Sequence, residues 1–269
     1  MPTDADTPDA DLLARARAGD ALAFEVLVKP QRQRLHVHCY RMLGSPHDAD
    51  DAVQETLLAA WRSIASFEGR SALGTWLYQI STRVCLRLIS QRPQRLSSPD
   101  HAPALTSTAE LGEMVGGPIW IEPLPDVEWL ADALQEEPAS ALQRRQSVAL
   151  AFIAALQHLP GTQRAVLLLR DVLEYSAAEA AEMLGTTTAS VNSALQRAQK
   201  TVKDKMPGTS QAVELQALQP ASLDKLLRDL VAAWESRDVN QLVSLLAEDA
   251  RFTMPPLPAW FDGRASVAK

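Results

Sequence analysis

The sequence lacks the features that mark membrane, secreted and disulfide-rich chains. It contains no run of about 18 apolar residues, so no transmembrane helix is expected. Its two cysteines, Cys39 and Cys85, are too few for a disulfide framework or a four-ligand zinc site. The first residues are acidic and lack an apolar segment, so no secretory signal is predicted and the cytoplasm is the expected compartment. With only 11 glycines and abundant alanine and leucine, helix is favoured over sheet.

The motifs of common enzyme classes are also absent. There is no Gly-rich phosphate loop, no Gly-x-Ser-x-Gly elbow and no His-Glu-x-x-His pair. His36, His38 and Cys39 invite a zinc interpretation, but these positions do not share one helical face and no fourth ligand is obvious. The sequence therefore predicts a protein that is not an enzyme and that holds neither a metal nor another cofactor.

The distribution of charge is more informative than the net charge of −7 over 269 residues. Residues 11–95 carry 12 Lys/Arg and 8 Asp/Glu, and residues 151–205 carry 6 and 5. Residues 96–150 between them carry only 2 Lys/Arg against 9 Asp/Glu. Two mildly basic segments thus flank an acidic connector, and such an arrangement is compatible with nucleic-acid binding despite the acidic total.

The sequence of the first basic segment, residues 11–95, predicts a series of helices. Two short helices, Asp11–Ala18 and Asp20–Val28, each open with an Asp that can cap free N–H groups. A third, Gln31–Leu43, is expected to end at Gly44, and Ser45-Pro46 provides the cap and first position of a fourth. Two amphipathic stripes at helical spacing follow: Val53, Leu57, Trp61 and Ile64, then Leu73, Leu77, Ile80, Val84 and Leu88.

Acidic residues cluster at the start of the fourth helix, namely Asp48, Asp50, Asp51 and Glu55. Paired carboxylates suit acid–base catalysis or a metal ion. Acids at a helix N-terminus also simply stabilise the macrodipole, and this interpretation is the stronger one. Together with Gln54 they can form a docking face for a basic partner.

Aromatic and cationic residues mix just after this helix, at Phe67, Arg70, Trp76, Tyr78 and Arg83. Such a mixture suits single-stranded nucleic acid, because bases stack on rings and phosphates pair with arginine. The alternative is that Phe67 and Trp76 are core residues, and for Trp76 the core is favoured.

The strongest local signal is a helix-turn-helix pattern over residues 175–203. Ser176 and Glu179 form a capping box at the start of a short helix. Residues 185–187 make a tight turn, and Thr188–Lys203 forms a second helix, which in such motifs enters the major groove. An ordinary helical hairpin with a solvated polar face is the alternative.

Small and apolar residues should hold the two helices of this motif together. Ala178 and Ala181 allow a close approach, and Ala181, Leu184, Val191 and Leu195 are expected to pack between the helices. The outward face then presents groups suited to base edges and phosphates: Thr188, Ser190, Asn192, Ser193, Gln196, Arg197, Lys200, Lys203 and Lys205.

These residues resemble a known family. Residues 48–61 and 67–80 resemble conserved region 2 of bacterial RNA polymerase sigma factors, and residues 159–170 with the helix-turn-helix resemble region 4. The two regions in this order, without other sigma regions, resemble the extracytoplasmic-function group of the sigma-70 family. The implied fold is mainly α: a region 2 helical bundle and a region 4 helix-turn-helix domain, joined by a long acidic linker.

Further resemblances point to a subgroup with a C-terminal extension of SnoaL-like (NTF2-like) fold. Residues 120–126 resemble its linker signature, and residues 191–198 are typical of the subgroup. Residues 222–247 predict a helical stretch and residues 248–254 the start of a strand. Residues 227–249 and 252–260 resemble the opening helices and first strand of such a domain. Only about 48 residues of it are present, so its α+β fold is expected to be incomplete.

The predicted division of the chain follows from these matches. It is a disordered tail at 1–10, sigma region 2 at 11–95, an acidic Pro-containing linker at 96–139, sigma region 4 at 140–206, a second linker at 207–221 and a partial SnoaL-like segment at 222–269.

The resemblance implies three sets of binding residues. Core RNA polymerase would contact Asp48, Asp51, Gln54 and Glu55. The minus-ten promoter element would contact Phe67, Gly69, Arg70, Ser71, Thr75, Gln79 and Arg83. The minus-thirty-five element would contact Thr188, Ser190, Asn192, Ser193, Gln196, Arg197 and Lys200.

The implied function is promoter-specific initiation by a subunit whose partners are core RNA polymerase and promoter DNA, with no membrane partner. Arg83 stands where the family often has Asn, and Asn192 and Ala194 stand where many relatives have Arg, so the promoter preference should differ. Two alternatives remain: a stand-alone helix-turn-helix regulator, or a fusion to a SnoaL-like cyclase or isomerase. The sequence does not indicate an anti-sigma partner.

The connector and the C-terminal segment are expected to interact within the chain. Trp120, Ile121 and Trp129 of the connector suit a docking strip with aromatic anchors. Residues 222–269 are expected to form at most a helical pair packed on the sigma core.

Overall fold

A computed structural model describes residues 10–91, 102–116, 120–122, 155, 158–205 and 220–269. Residues 1–9 of the predicted tail, Trp129, the predicted start of region 4 at residue 140 and residues 207–219 of the second linker lie outside these ranges, whereas Ala10 and residues 220–221 are helical. The described residues fall into two compact units. Residues 10–91, 122, 155 and 158–205 form the first, and residues 102–116, 120–121 and 220–269 form the second.

The first unit opens with five α-helices, and its mainly helical character confirms the predicted fold class. Short 3-10 turns follow α2 and α4, at Lys29–Gln31 and Ile64–Ser66. The helices are α1 (Ala10–Arg17), α2 (Ala21–Val28), α3 (Arg32–Leu43), α4 (Pro46–Ser63) and α5 (Leu73–Gln91).

The boundaries of these helices follow the local chemistry that the sequence predicts. The Asp20 carboxylate accepts from the N–H groups of Leu22 and Ala23, 3.0 and 3.1 Å away, and so caps α2. Gly44 ends α3 at a φ of 77°, a left-handed conformation that glycine adopts without steric cost. Ser45 then caps α4 by accepting from Asp48 N at 3.2 Å.

Helices α3, α4 and α5 pack against one another and enclose the core of this part. Both predicted amphipathic stripes face inward: their members are buried or half-buried. Trp76 is half-buried and lies against Phe67, with ring centroids 4.8 Å apart. The largest fully buried side chains here are Val28, Leu35, Cys39, Met42, Thr56, Leu77 and Thr82.

His38 lies inside this core and is only 3% exposed. The Thr82 hydroxyl donates to the carbonyl of Tyr78 at 2.7 Å, so its oxygen accepts from His38 Nε2 at 2.9 Å. Burial, with a smaller effect from Arg41, lowers the pKa of His38 to about 3. His36, by contrast, pairs with Asp50 at 3.2 Å, so the two histidines have different partners.

The buried His38 predicts a loss of stability in mild acid. An unfolded histidine takes up a proton below a pH of about 6.5, whereas folded His38 does not until about 3. The stabilising effect is therefore complete above pH 6.5 and is lost as the pH falls. Urea unfolding should show that His38 lowers the free energy of unfolding by about 1–2 kcal/mol between pH 7.5 and 5.5.

His38→Gln should remove this part of the pH dependence, because a glutamine amide can still donate to Thr82 without titrating. The exposed His47 provides a matched control, and His47→Gln should leave the pH dependence as it is. A difference in stability between wild type and His38→Gln that is the same at both pH values would contradict the prediction.

The rest of the first unit is built from three more helices. These are α6 (Gly161–Leu167), which continues into a π-helical turn at Leu168–Val172, α7 (Ala177–Leu184) and α8 (Thr188–Lys205). Their shared core contains Val166, Leu169, Ala180, Ala181, Met183, Val191 and Ala194, with Leu184 and Leu195 packed against it. The predicted packing of α7 on α8 is thus confirmed, except that Ala180 is buried there and Ala178 is exposed.

Among its described residues the second unit contains a 3-10 turn at Thr108–Glu110, three α-helices and a two-stranded sheet. These are α9 (Pro220–Ser236), α10 (Val239–Ser244), β1 (Arg251–Thr253), β2 (Trp260–Asp262) and α11 (Arg264–Val267). The strands are antiparallel, with Phe252 opposite Phe261. None of the described helices is both long and apolar enough to cross a membrane.

The C-terminal segment follows the sequence prediction in part. The helical stretch expected over residues 222–247 forms a pair of helices, because Arg237 has a φ of 56° and the Asp238 carboxylate caps α10 by accepting from Gln241 N. The strand predicted near residue 252 is present, but its partner β2 was not predicted. Three prolines between them obscured the hairpin pattern.

Part of the predicted connector lies along this hairpin within the second unit. Leu105 N donates to the carbonyl of Trp260 at 2.8 Å, and the Trp260 indole donates to the carbonyl of Ala102 at 2.6 Å. Val115 N donates to the carbonyl of Pro256 at 3.0 Å. Ala102, Leu105 and Val115 of the connector thus hydrogen-bond to the hairpin or to the segment between its strands.

Candidate nucleic-acid interface

Helix α8 presents an exposed row of hydrogen-bonding side chains. Amides and guanidinium groups in such a row can pair with base edges in the major groove, and the lysines further along suit phosphates. The residues predicted for the minus-thirty-five element are all exposed: Thr188, Ser190, Asn192, Ser193, Gln196, Arg197 and Lys200, as are Lys203 and Lys205.

Local capping fixes how α8 is presented. Glu179 N donates to the Ser176 hydroxyl at 3.2 Å, and Ser176 N donates back to the Glu179 carboxylate at 2.8 Å, which completes the predicted capping box. These bonds lower the pKa of Glu179. Gly185, at a φ of 64°, then turns the chain toward α8, and the fully buried Val191 faces inward. The polar face of α8 is thereby directed outward.

The acidic start of α4 is only partly available to a partner. Asp51 and Gln54 are exposed, and half-buried Glu55 pairs with Arg87 on α5. Asp48 is only 6% exposed and lies in the first turn of α4, where an acid stabilises the helix start, and its role in binding core polymerase stays a prediction. The remaining docking face is Asp51, Gln54 and the outer edge of Glu55.

The loop between α4 and α5 divides into a buried and an exposed part. The Phe67 ring is only 6% exposed; it lies against Trp76, with the Arg17 guanidinium 5.9 Å from its centroid. Its predicted role beside minus-ten DNA therefore does not fit this conformation, because the ring is a core group. The three residues that complete the predicted loop, Gly69, Arg70 and Ser71, are exposed.

The other predicted minus-ten residues lie on one face of α5, at positions 75, 79 and 83. Thr75 and Gln79 are half-buried, and the Tyr175 hydroxyl lies 3.4 Å from the Thr75 hydroxyl. Arg83 is exposed at its end, but its Nε donates to the carbonyl of Met183 at 3.0 Å. Two positions of this α5 face, Thr75 and Arg83, therefore contact the helix-turn-helix, while Arg83 is still largely exposed to solvent.

Sequence reasoning missed the residues that join these two parts. Tyr78 of α5 packs on the helix-turn-helix core, with its ring 6.4 Å from that of Tyr175. Arg164 of α6 is 5% exposed and donates to the carbonyl of Met42 at the end of α3, and to that of Leu159 at 3.1 Å. Burial lowers the pKa of Arg164 to about 10. Nothing in the local sequence indicates that Arg164, a cation within an apolar helical pattern, contacts another helix.

Glu122 makes further contacts that the linker signature at residues 120–126 did not predict. Its N–H donates to the carbonyl of Gly44 at 2.9 Å, and its carboxylate accepts from the Ser45 hydroxyl at 2.6 Å. The Tyr40 hydroxyl donates to its carbonyl at 2.8 Å. Glu122 is thus held at the turn between α3 and α4 by three hydrogen bonds.

Comparison with known proteins assigns these parts. Residues 27–94 match Sigma-70 region 2, and residues 149–202 match Sigma-70, region 4. The chain is 43% identical over 255 residues to the ECF RNA polymerase sigma factor SigG of Mycobacterium tuberculosis, covering 94% of this chain and 66% of SigG. It is 34% identical over 191 residues to SigM of the same species, covering 71% of this chain and 80% of SigM.

Among solved structures, the crystal structure of the extracytoplasmic function sigma factor SigJ of Mycobacterium tuberculosis aligns at a TM-score of 0.49 and 22% identity, covering 88% of this chain and 70% of SigJ. The chain spans just under two thirds of the length of SigG. SigM, by contrast, is matched over most of its length, and both sigma regions lie in the expected order. The chain therefore belongs to the family of ECF RNA polymerase sigma factors.

Proposed function

We propose that this chain binds core RNA polymerase and directs promoter-specific initiation by recognising the minus-ten and minus-thirty-five elements. It acts by binding, without a catalytic step of its own. The observation that carries the proposal is the combination, in one unit, of an exposed recognition face on α8 and an exposed acidic face on α4. The family of the chain gives each face its partner.

The α4 face is the proposed docking site for core polymerase. Asp51 and Gln54 project into solvent from the first half of a capped helix, so they can meet a basic surface without rearrangement. Glu55 adds a third group to this face while it forms an ion pair with Arg87. The contact is electrostatic in character, and its rate of formation should fall with salt.

The proposed minus-ten site combines the exposed loop Gly69–Ser71 with the α5 face of Thr75, Gln79 and Arg83. Arg70 provides a cation for phosphate, and the α5 face provides hydroxyl, amide and guanidinium groups for separated bases. Extrusion of a base costs a few kcal/mol, which the polymerase channel and these groups offset together.

The proposed minus-thirty-five site is the outward face of α8. Asn192, Gln196 and Arg197 can make paired hydrogen bonds to base edges, and Lys200 is placed for phosphate. Because the whole protein is acidic, free chain should bind DNA weakly and the core enzyme should supply much of the attraction.

The domain boundaries predicted from the sequence, the type of the C-terminal segment and the cellular compartment are proposals. A helix pair followed by a hairpin supports a partial SnoaL-like segment at 222–269. The cytoplasm is the proposed compartment, where the polymerase is. Contact of the C-terminal segment with the sigma core stays a prediction.

Selection of DNA from a random duplex library distinguishes the proposed function from that of a stand-alone regulator. The chain is used alone and together with bacterial core RNA polymerase, and the recovered sequences are compared. We expect two short conserved elements at fixed spacing only when core polymerase is present. A single palindromic or lone element that the chain selects equally well without polymerase would identify a stand-alone regulator.

A further inference from the structure

Glu122 of the connector contacts region 2 through its backbone and its side chain. Its N–H donates to the carbonyl of Gly44 at 2.9 Å, and its carbonyl accepts from the Tyr40 hydroxyl at 2.8 Å. Its carboxylate accepts from the Ser45 hydroxyl at 2.6 Å. Three groups of one residue thus meet the turn between α3 and α4, which lies 77–82 positions earlier in the chain.

The residue after Glu122 explains why two of its backbone groups can meet one turn. Pro123 favours extended backbone at the residue before it. In extended backbone the N–H and C=O groups of one residue point to the same side, as they do in the hydrogen-bonded pairs of an antiparallel sheet. The Glu-Pro pair of the linker signature therefore favours the geometry of both backbone bonds.

The bond between Glu122 and Ser45 also bears on helix α4. A serine hydroxyl has one proton, which Ser45 donates to Glu122, so the lone pairs of its oxygen remain to accept from Asp48 N at 3.2 Å. Ser45 is fully buried, so solvent water does not take the place of the carboxylate. Glu122 thus sets the direction in which the Ser45 hydroxyl caps α4.

The first turn of α4 depends on Ser45. Pro46 has no N–H, Asp48 N donates to the Ser45 hydroxyl, and Ala49 N donates to the Ser45 carbonyl at 3.0 Å. The proposed docking face begins in the following turn, at Asp51. The bonds of the first turn therefore fix the direction in which this face is presented.

We propose that Glu122 is a positioning residue for the binding of core RNA polymerase. Through the Ser45 hydroxyl it holds the first turn of α4, and this turn presents the docking face in the orientation that the polymerase binds. The affinity of region 2 for the polymerase then depends on whether Glu122 is seated at the turn. The inference rests on the proposed function of α4.

The position of the Glu122 carboxylate, rather than its charge, is the essential property. A carboxylate near the start of α4 would also stabilise the helix dipole without any bond to Ser45. Two substitutions distinguish these effects. Glu122→Gln removes the charge and keeps an oxygen that can accept from Ser45, whereas Glu122→Asp keeps the charge and shortens the side chain by one methylene.

Titration of the labelled full chain with bacterial core RNA polymerase, followed by fluorescence anisotropy, measures the effect. Glu122→Ala and Glu122→Asp should each raise the dissociation constant about fivefold, the size expected when a helix cap is weakened. Glu122→Gln should restore binding to within about twofold of wild type. Glu113→Ala, which removes an exposed acid of the same connector, is the matched control and should have no effect.

A double variant tests whether the effect passes through Ser45. Ser45→Ala should weaken binding at least as much as Glu122→Ala, and adding Glu122→Ala to it should cause no further loss, because the shared bond is already absent. Hydrogen exchange of the full chain gives the structural readout. The amides of Asp48 and Ala49 should exchange faster in Glu122→Ala, and those in the middle of α5 should not change. Glu122→Asp carries the comparison if Glu122→Ala does not fold.

Equal losses for Glu122→Ala and Glu122→Gln, with no loss for Glu122→Asp, would overturn the proposal, because charge alone would then explain the effect. Faster exchange at the start of α4 with unchanged affinity for core polymerase would also overturn it and leave Glu122 a purely structural residue. If the wild-type chain does not bind core polymerase, the proposed function fails. If the wild type binds and Glu122→Ala binds equally well, only this inference fails.

Discussion

Asp51→Lys is expected to weaken binding to core RNA polymerase at least tenfold. Asp51 is exposed in the first half of α4, so the substitution places a cation in the centre of the proposed docking face without disturbing the core. Charge reversal against a basic partner costs about 1.4 kcal/mol or more, which is a factor of ten in the dissociation constant. Fluorescence anisotropy of the labelled chain, titrated with core polymerase, measures the effect.

A matched control separates the site from the change in net charge. Glu25 is exposed on α2 in the same unit, and Glu25→Lys alters the charge by the same amount. Its affinity for core polymerase should stay within about twofold of wild type. Equal losses of affinity in both variants would show that the change in net charge causes the effect. Unchanged affinity of Asp51→Lys would show that α4 does not bind core polymerase.

Arg197→Ala should reduce promoter binding by the holoenzyme by about 1–3 kcal/mol and relax the preference at one position of the minus-thirty-five element. Arg197 is exposed on the outward face of α8, where a guanidinium can pair with a guanine edge. Binding of holoenzyme to a set of promoters that differ singly at each position shows both the loss and its position dependence.

Lys200→Ala is the comparison that distinguishes base reading from phosphate binding. Loss of one phosphate contact should lower affinity about equally for all sequences and reduce the slope of log affinity against log salt by about 1. If Arg197→Ala shows this uniform pattern instead, Arg197 contacts the backbone. If neither variant binds less tightly, α8 is not the reading helix.

The sequence predicted best what local chemistry determines. The Asp20 and Ser45 caps, the Gly44 and Gly185 turns and the Ser176 capping box each depend on a few neighbouring residues, and each is present. The inward and outward faces of α8 follow from helical periodicity alone, so every residue predicted for the outward face is exposed.

Local sequence patterns do not predict burial that depends on residues distant in sequence. Asp48 and Phe67 carry polar or aromatic groups typical of binding, yet packing against other elements buries both. Ala180 rather than Ala178 lies in the helix-turn-helix core, because the local periodicity of a short alanine-rich helix does not fix its inward face. The contact of Arg83 with Met183 joins residues 100 positions apart, and no spacing rule predicts it.

In the C-terminal segment, the break between α9 and α10 and the pairing of β2 with β1 were also not predicted from the sequence. The sequence predicted a helical stretch over residues 222–247 without a break, and the cap at Asp238 divides this stretch into α9 and α10. The strand β2 has only three residues and follows three prolines, so its pairing with β1 depends on the hairpin as a whole.

Reconstituted transcription tests the central claim most directly. Full chain and bacterial core RNA polymerase are combined on a linear template that carries the two elements recovered by the library selection, and run-off products are mapped. The account predicts transcripts from one fixed start downstream of the minus-ten element, which require the chain and disappear when either element is scrambled. Absence of such transcripts, from a chain that binds the same template without polymerase, would contradict the assignment as a promoter-directing subunit.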